Sequence, residues 1–73
     1  MAKFYITLGQ SHQHIIDNRI WDKNSVLEIE AESVSRAEQY AFDNLGNKWA
    51  MCTDESQHRP ELYPKGTIKS ITI

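Results

Sequence analysis

The sequence has a single cysteine and no long apolar segment, and both features exclude classes of protein. With Cys52 alone, no disulfide can form within the chain, which excludes a disulfide-stapled scaffold and favours a reducing compartment. No apolar run approaches the roughly 20 residues that a membrane helix needs. The start, MAKFYITLGQ, turns polar too early for a signal peptide. The sequence therefore predicts a soluble, cytoplasmic protein that does not enter a membrane.

Glycine is scarce, and the motifs of common enzymes are missing. The three glycines are scattered, so there is no phosphate-binding glycine loop, and there is no Gly-x-Ser-x-Gly motif. Cys52 falls in a predicted strand, where a small buried hydrophobe is expected rather than a reactive thiolate. The 73 residues form one small domain, 1–73, with no room for an enclosed substrate cavity. We expect a non-enzymatic protein without a cofactor, for which oligomerisation is one way to bury more surface.

Positive charge is also in short supply. Ten acidic and eight basic residues give a net charge of −2, whereas proteins that grip phosphates usually have the opposite bias. Direct nucleic-acid binding is therefore disfavoured. It would need Lys3, Lys65 and Lys69 to form one basic patch through pairing of the two terminal strands.

The periodic segments predict the order β-β-α-β-β. Phe4, Ile6 and Leu8 alternate with polar residues, as in a half-buried strand, which after a bulge at Gly9 could continue to about Ile16. A turn-rich stretch, DNRIWDKNS, offers hairpin tips at Asp17-Asn18 and Lys23-Asn24. A second alternation over residues 27–32 follows.

The helix and the last two strands complete this order. Ser33 reads as an N-cap, and Ser35 with Glu38 is a competing capping-box start. The helix runs to about Leu45, where Gly46 suits a left-handed end. Its apolar stripe consists of Val34, Ala37, Ala41 and Leu45. KWAMCT and TIKSITI read as strands, joined by a long loop that closes with the turn YPKG. The class is α+β: an antiparallel sheet with one helix packed on one face.

The segment GQSHQH has two histidines one residue apart. In a strand, His12 and His14 would point to the same side about 7 Å apart. They could share a metal ion if further ligands converged, and the candidates for these are His58, Cys52, Asp17 and Asp22. They could also form a polar strand end that contacts a partner.

Acidic and aromatic residues supply the remaining candidates. Glu28, Glu30 and Glu32 recur at every second position, so they could compete for a basic surface on another protein, or simply form a solvated face that discourages aggregation. Trp21 lies in a polar turn segment, and tryptophan is enriched at binding hot spots. Trp49 is expected in the core. Tyr63 and Arg59 lie in the long loop.

The segments GQSHQH, IWDKNSVLEIEAES, AEQYAFDNLGNKWA and YPKG resemble small bacteriophage-encoded proteins, over residues 4–66. The strand followed by an A-x-[ST] helix entry and another strand is similar to anti-CRISPR proteins and to a short phage inhibitor of bacterial RNA polymerase. This resemblance implies a protein that acts in the host cytoplasm. It implies stoichiometric binding that covers a functional surface of a host protein or defence complex. Strongly acidic DNA mimics carry far more charge, so a local acidic contact is expected.

Two hypotheses follow. In the first, the chain is an anti-CRISPR-like inhibitor whose partner-binding residues are Glu28, Glu30, Glu32, Trp21, His12, His14 and Tyr63. In the second, it is a small oligomer that sequesters a metal or a nucleotide signal. The ligand contacts would then come from His12, His14, Arg19, Arg59 and Tyr63.

Overall fold

The fold combines one helix with two β-sheets, which confirms the α+β class. The computed structural model describes residues 2–9 and 12–73. The elements in chain order are β1 Ala2–Thr7, β2 His14–Ile16, β3 Arg19–Trp21, β4 Ser25–Ala31, α1 Val34–Leu45, β5 Met51–Asp54, a short 3-10 turn Pro60–Leu62, and β6 Gly66–Thr72. Within the described residues, no helix is both long enough and apolar enough to cross a membrane.

The main sheet has the strand order β5-β1-β4-β6. β1 is antiparallel to β4 and to β5, whereas β6 is parallel to β4. The prediction of a wholly antiparallel sheet is therefore wrong. The chain between β4 and β6 contains α1 and β5, which return it to the starting end of β4. A crossover of this length is what a parallel pair requires.

A separate hairpin, β2–β3, precedes β4. Its tip is Asp17-Asn18, as predicted, and both residues are left-handed, with φ of 51° and 64°. Two left-handed residues make the tight turn whose twist matches that of the flanking strands. The predicted continuation of the first strand to Ile16 is wrong, because β1 ends at Thr7 and β2 pairs only with β3. Residues 10 and 11, which that continuation included, lie outside the described residues.

The helix begins and ends where its capping residues predict. The Ser33 hydroxyl accepts a hydrogen bond from the Arg36 amide at 3.4 Å, and Gly46 follows the helix with φ of 62°. Ala37, Ala41 and Leu45 are buried against the sheet, whereas Val34, predicted to share their stripe, is 44% exposed. The facing side chains of the sheet are apolar and buried: Phe4, Ile6, Leu27, Ile29 and Ala31.

Trp21 belongs to this core. It is 1% exposed, and its Nε1–H donates a hydrogen bond to the Ser25 carbonyl at 3.1 Å. The expectation that Trp21 offers an exposed ring to a partner is therefore wrong. The three residues after it are polar, but the turn that they form at residues 22–24 folds the hairpin back so that the ring points inward. Trp49 is half-buried and packs edge-on against Phe42, with ring centroids 5.1 Å apart.

We predict that Trp21→Phe lowers the free energy of unfolding by about 2–3 kcal/mol, because it removes buried volume and leaves the Ser25 carbonyl without its donor. The half-buried Trp49 is the matched control, and Trp49→Phe should cost less than about 1 kcal/mol. Urea unfolding followed by far-UV circular dichroism measures both. Equal losses in the two variants would contradict the central place of Trp21 in the core.

Candidate functional site

The sheet face opposite α1 carries a set of partly exposed polar side chains. Tyr5 lies directly across from Glu28 on one side and from Thr53 on the other, and Lys3 lies across from Glu30. Successive side chains of a strand point to opposite faces. These five residues therefore project away from the helix, and we call the surface they form the open face.

Three rings are stacked at the open face. The imidazole of His58 lies on the Tyr5 ring, with centroids 3.9 Å apart and planes 9° from parallel. Tyr63 follows on the other side of His58, at 5.9 Å and 12°. Together Tyr5, His58 and Tyr63 form what we call the ring stack. It joins β1 to the long loop between β5 and β6, and so holds that loop over the sheet.

Hydrogen bonds fix both ends of this loop. The Asp54 carboxylate accepts from the Ser56 hydroxyl at 2.7 Å and from the Gln57 amide at 3.0 Å. The Ser56 bond is the main reason that the pKa of Asp54 lies below its ordinary value. At the other end, the Gly66 amide donates to the Tyr63 carbonyl at 2.8 Å, which closes the predicted YPKG turn. The loop is therefore shaped before any partner binds.

A concave surface opens between the loop and the edge strand β5. It encloses a cavity of about 430 Å³ lined in part by Arg59, Tyr63 and Gln57. Met51 and Leu62 also line it, and they are 50% and 60% exposed. Large apolar side chains thus lie in the open beside the aromatic ring stack.

The charge at the open face is mainly negative. The Lys3 ammonium is 3.6 Å from a Glu28 carboxylate oxygen, and Glu28 followed by Glu55 raises the pKa of Lys3. Burial is the main cause of the raised pKa of Tyr5, and the same two carboxylates add to it. The Tyr5 hydroxyl therefore stays protonated at neutral pH and can donate a hydrogen bond. Among the described residues, the carboxylates of Glu28, Glu30 and Glu55 outnumber the single ammonium group of Lys3 at this face.

The predicted acidic row is only partly continuous. Glu28 and Glu30 both lie on the open face, but Glu28 is paired with Lys3 and its side chain is only 19% exposed. Glu32 lies beyond the end of β4, in a bend that leads to the helix. Two neighbouring carboxylates, rather than three, therefore belong to the open face.

The predicted histidine pair lies elsewhere. His12 is exposed, whereas His14 is half-buried in β2 and makes an edge-on contact with Trp21, with centroids 6.2 Å apart. Over residues 2–9 and 12–73, no three histidine, cysteine or acidic side chains are grouped so that they could hold a metal ion. Of the predicted partner-binding residues, the structure brings Tyr63 together with Glu28 and Glu30, but places His14 and Trp21 on the helix side.

The basic patch is not formed. The terminal strands do not pair, because β4 lies between β1 and β6. Each of the three lysines has a carboxylate partner of its own: Lys3 with Glu28, Lys65 with Asp22 at 2.8 Å, and Lys69 with Asp17 at 3.0 Å.

Sequence reasoning missed several residues of this site. His58 appeared only as a metal candidate, and Tyr5, Met51 and Leu62 were not singled out. The outward position of Tyr5 in the alternating first strand was the available signal. Its contact with His58 joins residues far apart in the chain, which no local pattern encodes. Comparison with protein-family models, curated proteins and solved structures returned no match for the chain.

Cys52 lies in β5 opposite Ile6, whose side chain is in the core. Burial raises the pKa of its thiol to about 11 from the ordinary 9.0, and the carboxylate of Glu38 adds to the effect. The expected burial of Cys52 is only partial, and the raised pKa of its thiol disfavours the thiolate near neutral pH.

We predict that a disulfide reagent such as DTNB reacts with folded Cys52 at least about tenfold more slowly than with the chain in guanidinium chloride. A shift of two pKa units lowers the thiolate fraction about 100-fold near neutral pH, and greater intrinsic nucleophilicity restores part of the rate. Stopped-flow absorbance gives both rates. Equal rates would show that the thiol is as accessible and acidic in the fold as outside it.

Proposed function

We propose that this chain is a non-enzymatic binding protein of the phage-inhibitor type that its sequence resembles. In this proposal the open face and the adjoining loop dock on a host protein or defence complex, and the bound protein blocks it stoichiometrically. The observation that carries the proposal is the pair Met51 and Leu62, both at least half exposed, on a concave surface beside the ring stack.

The chemistry of this surface is that of a protein interface. Aromatic residues, methionine and arginine are enriched at interface centres, and Tyr63, Met51 and Arg59 line the same cavity. A partner that covered Met51 and Leu62 would gain about 1–2 kcal/mol from each, because roughly half of each residue is still in water.

The loop also reduces the entropic cost of docking. The ring stack and the Asp54 hydrogen bonds already hold the loop over the sheet. A surface that is ordered before binding loses less conformational freedom when a partner arrives. This suits an inhibitor that must remain bound.

Glu28 and Glu30 give this surface a negative charge on one side. They extend it from the ring stack along β4, beside Glu55. A local negative field accelerates association with a basic surface, such as one that normally holds nucleic acid, even when the net charge is small.

In the first test, the protein is immobilised and exposed to bacterial lysates. Each lysate contains one candidate target: a CRISPR effector complex, another defence system, or RNA polymerase. We expect one partner retained in a one-to-one ratio. Leu62→Asp should weaken its capture at least about tenfold, because it would bury a charge at an apolar contact.

Ile15→Asp is the matched control, since Ile15 is 70% exposed on the hairpin and outside the proposed surface. It should leave the affinity unchanged. Equal weakening by both variants, or the lack of any stoichiometric partner across the panel, would contradict the proposal.

We further predict that Glu30→Lys slows association with the captured partner and reduces its dependence on salt, whereas dissociation changes little. Asp43→Lys makes the same change of charge on the exposed face of the helix and should leave the association rate nearly unaltered. Surface plasmon resonance at two ionic strengths separates the rates. Identical effects of the two substitutions would mean that net charge, rather than this face, governs encounter.

A further inference from the structure

A second cavity lies on the other side of the sheet, between the β2–β3 hairpin and the helix. Its volume is about 270 Å³. The buried side chains of Trp21, Leu27 and Leu45 form an apolar floor. The three floor side chains are almost fully covered, so the accessible lining is at least as polar as it is apolar. The polar groups around it come from three different elements: His14 from β2, Tyr40 and Asn44 from α1, and Lys69 from β6. Convergent polar groups of this kind fix the orientation of a small ligand.

A bulge in β6 delivers the lysine to this cavity. Val26 is paired with Thr67, but the next residue, Leu27, is paired with Lys69, so that Ile68 is the extra residue. Regular pairing would have placed Ile68 on the helix side opposite Leu27. The bulge instead puts an ammonium group on a face that is otherwise apolar. Bulges of this kind re-aim side chains and are frequent beside functional sites.

The hairpin is fastened at the same place. The Arg19 guanidinium donates to the carbonyl of Ile68, the bulged residue, at 3.1 Å. Asp17, at the hairpin tip, has a carboxylate oxygen 3.0 Å from the Lys69 ammonium. These two contacts hold the outer wall of the cavity against β6.

The cationic character of the rim survives the Asp17 contact. Asp17 is 62% exposed, so water screens the pair, and an ammonium has three donors, of which one serves this carboxylate. The guanidinium of Arg19, which donates to the neighbouring Ile68 carbonyl, does not line the cavity but is a second positive charge close to it. An anion entering the cavity would meet Lys69, with His14, Tyr40 and Asn44 as the other polar residues around it.

We propose that this cavity binds a small organic anion: a carboxylate or phosphate ester whose anionic group contacts Lys69 and whose small apolar body, about one or two rings in size, occupies the cavity next to the almost wholly covered Trp21. The site is separate from the open face, so this proposal does not depend on the proposed protein partner. It also gives the half-buried His14 a role that the open face does not.

The two tryptophans provide an internal readout. In a ¹H–¹⁵N NMR spectrum each indole N–H gives its own signal, and only Trp21 lines the cavity. We titrate the protein with phenyl phosphate, indole-3-acetate and the neutral analogue benzyl alcohol. At least one of the two anions should shift the Trp21 signal in a saturable way, while the Trp49 signal does not move. The anion with the higher affinity shows whether the site prefers a carboxylate or a phosphate. Benzyl alcohol should bind at least about tenfold more weakly, because it lacks the charge-assisted contact.

Lys69→Met should weaken the anion at least about tenfold while leaving benzyl alcohol unchanged, and Lys69→Arg should retain binding. Lys65→Met is the matched control, because Lys65 is also paired with an aspartate but lies outside the cavity; its affinity should equal that of the unmodified protein. No saturable Trp21 shift at millimolar probe would overturn the proposal. So would equal affinity of the anion and the neutral analogue, or full binding by Lys69→Met.

Discussion

The buried Trp21 indole, hydrogen-bonded to the Ser25 carbonyl, joins the β2–β3 hairpin to the core of the main sheet, and the contacts of Arg19 and Asp17 with β6 hold the hairpin from outside. It ties the β2–β3 hairpin to the first residue of β4, the strand that pairs on one side with β1 and on the other with β6. The indole also supplies a large share of the buried apolar surface in a chain too small to hold much of it. Through this contact the hairpin becomes part of the main core and forms one wall of the helix-side cavity.

The sequence predicted those elements whose signals are local. The alternation around Leu27 and Ile29 located β4, and Ser33 and Gly46 marked the ends of the helix. The β2–β3 hairpin was missed as an element because its three-residue strands are too short to show a period. The polar turn that follows Trp21 also made its ring look exposed. The parallel pairing of β6 depends on where the crossover returns the chain, and no short segment encodes that.

The candidate surfaces were predictable to a similar degree. Tyr63 was chosen from its residue type, and Glu28 and Glu30 from their alternate spacing; all three lie on the open face. The stacking of His58 on Tyr5, which links Tyr63 to this face, is a contact between distant segments of the chain. The position of Lys69 on the helix side could not be read from the sequence. The bulge at Ile68 moves the side chains that follow it to the other face of β6, and a bulge leaves little trace in sequence.

The long crossover that places β6 beside β4 also has a consequence for the kinetics of folding. β6 is the last strand in chain order, and its pairing with β4 closes a loop of more than thirty residues, 32–65. Closing such a loop costs entropy before any contact repays it. During synthesis, the edge of β4 that β6 will cover stays unpaired until residues 66–72 have emerged. The hairpin, the helix and β1 can assemble earlier, which makes the docking of β6 the step expected to limit the folding rate.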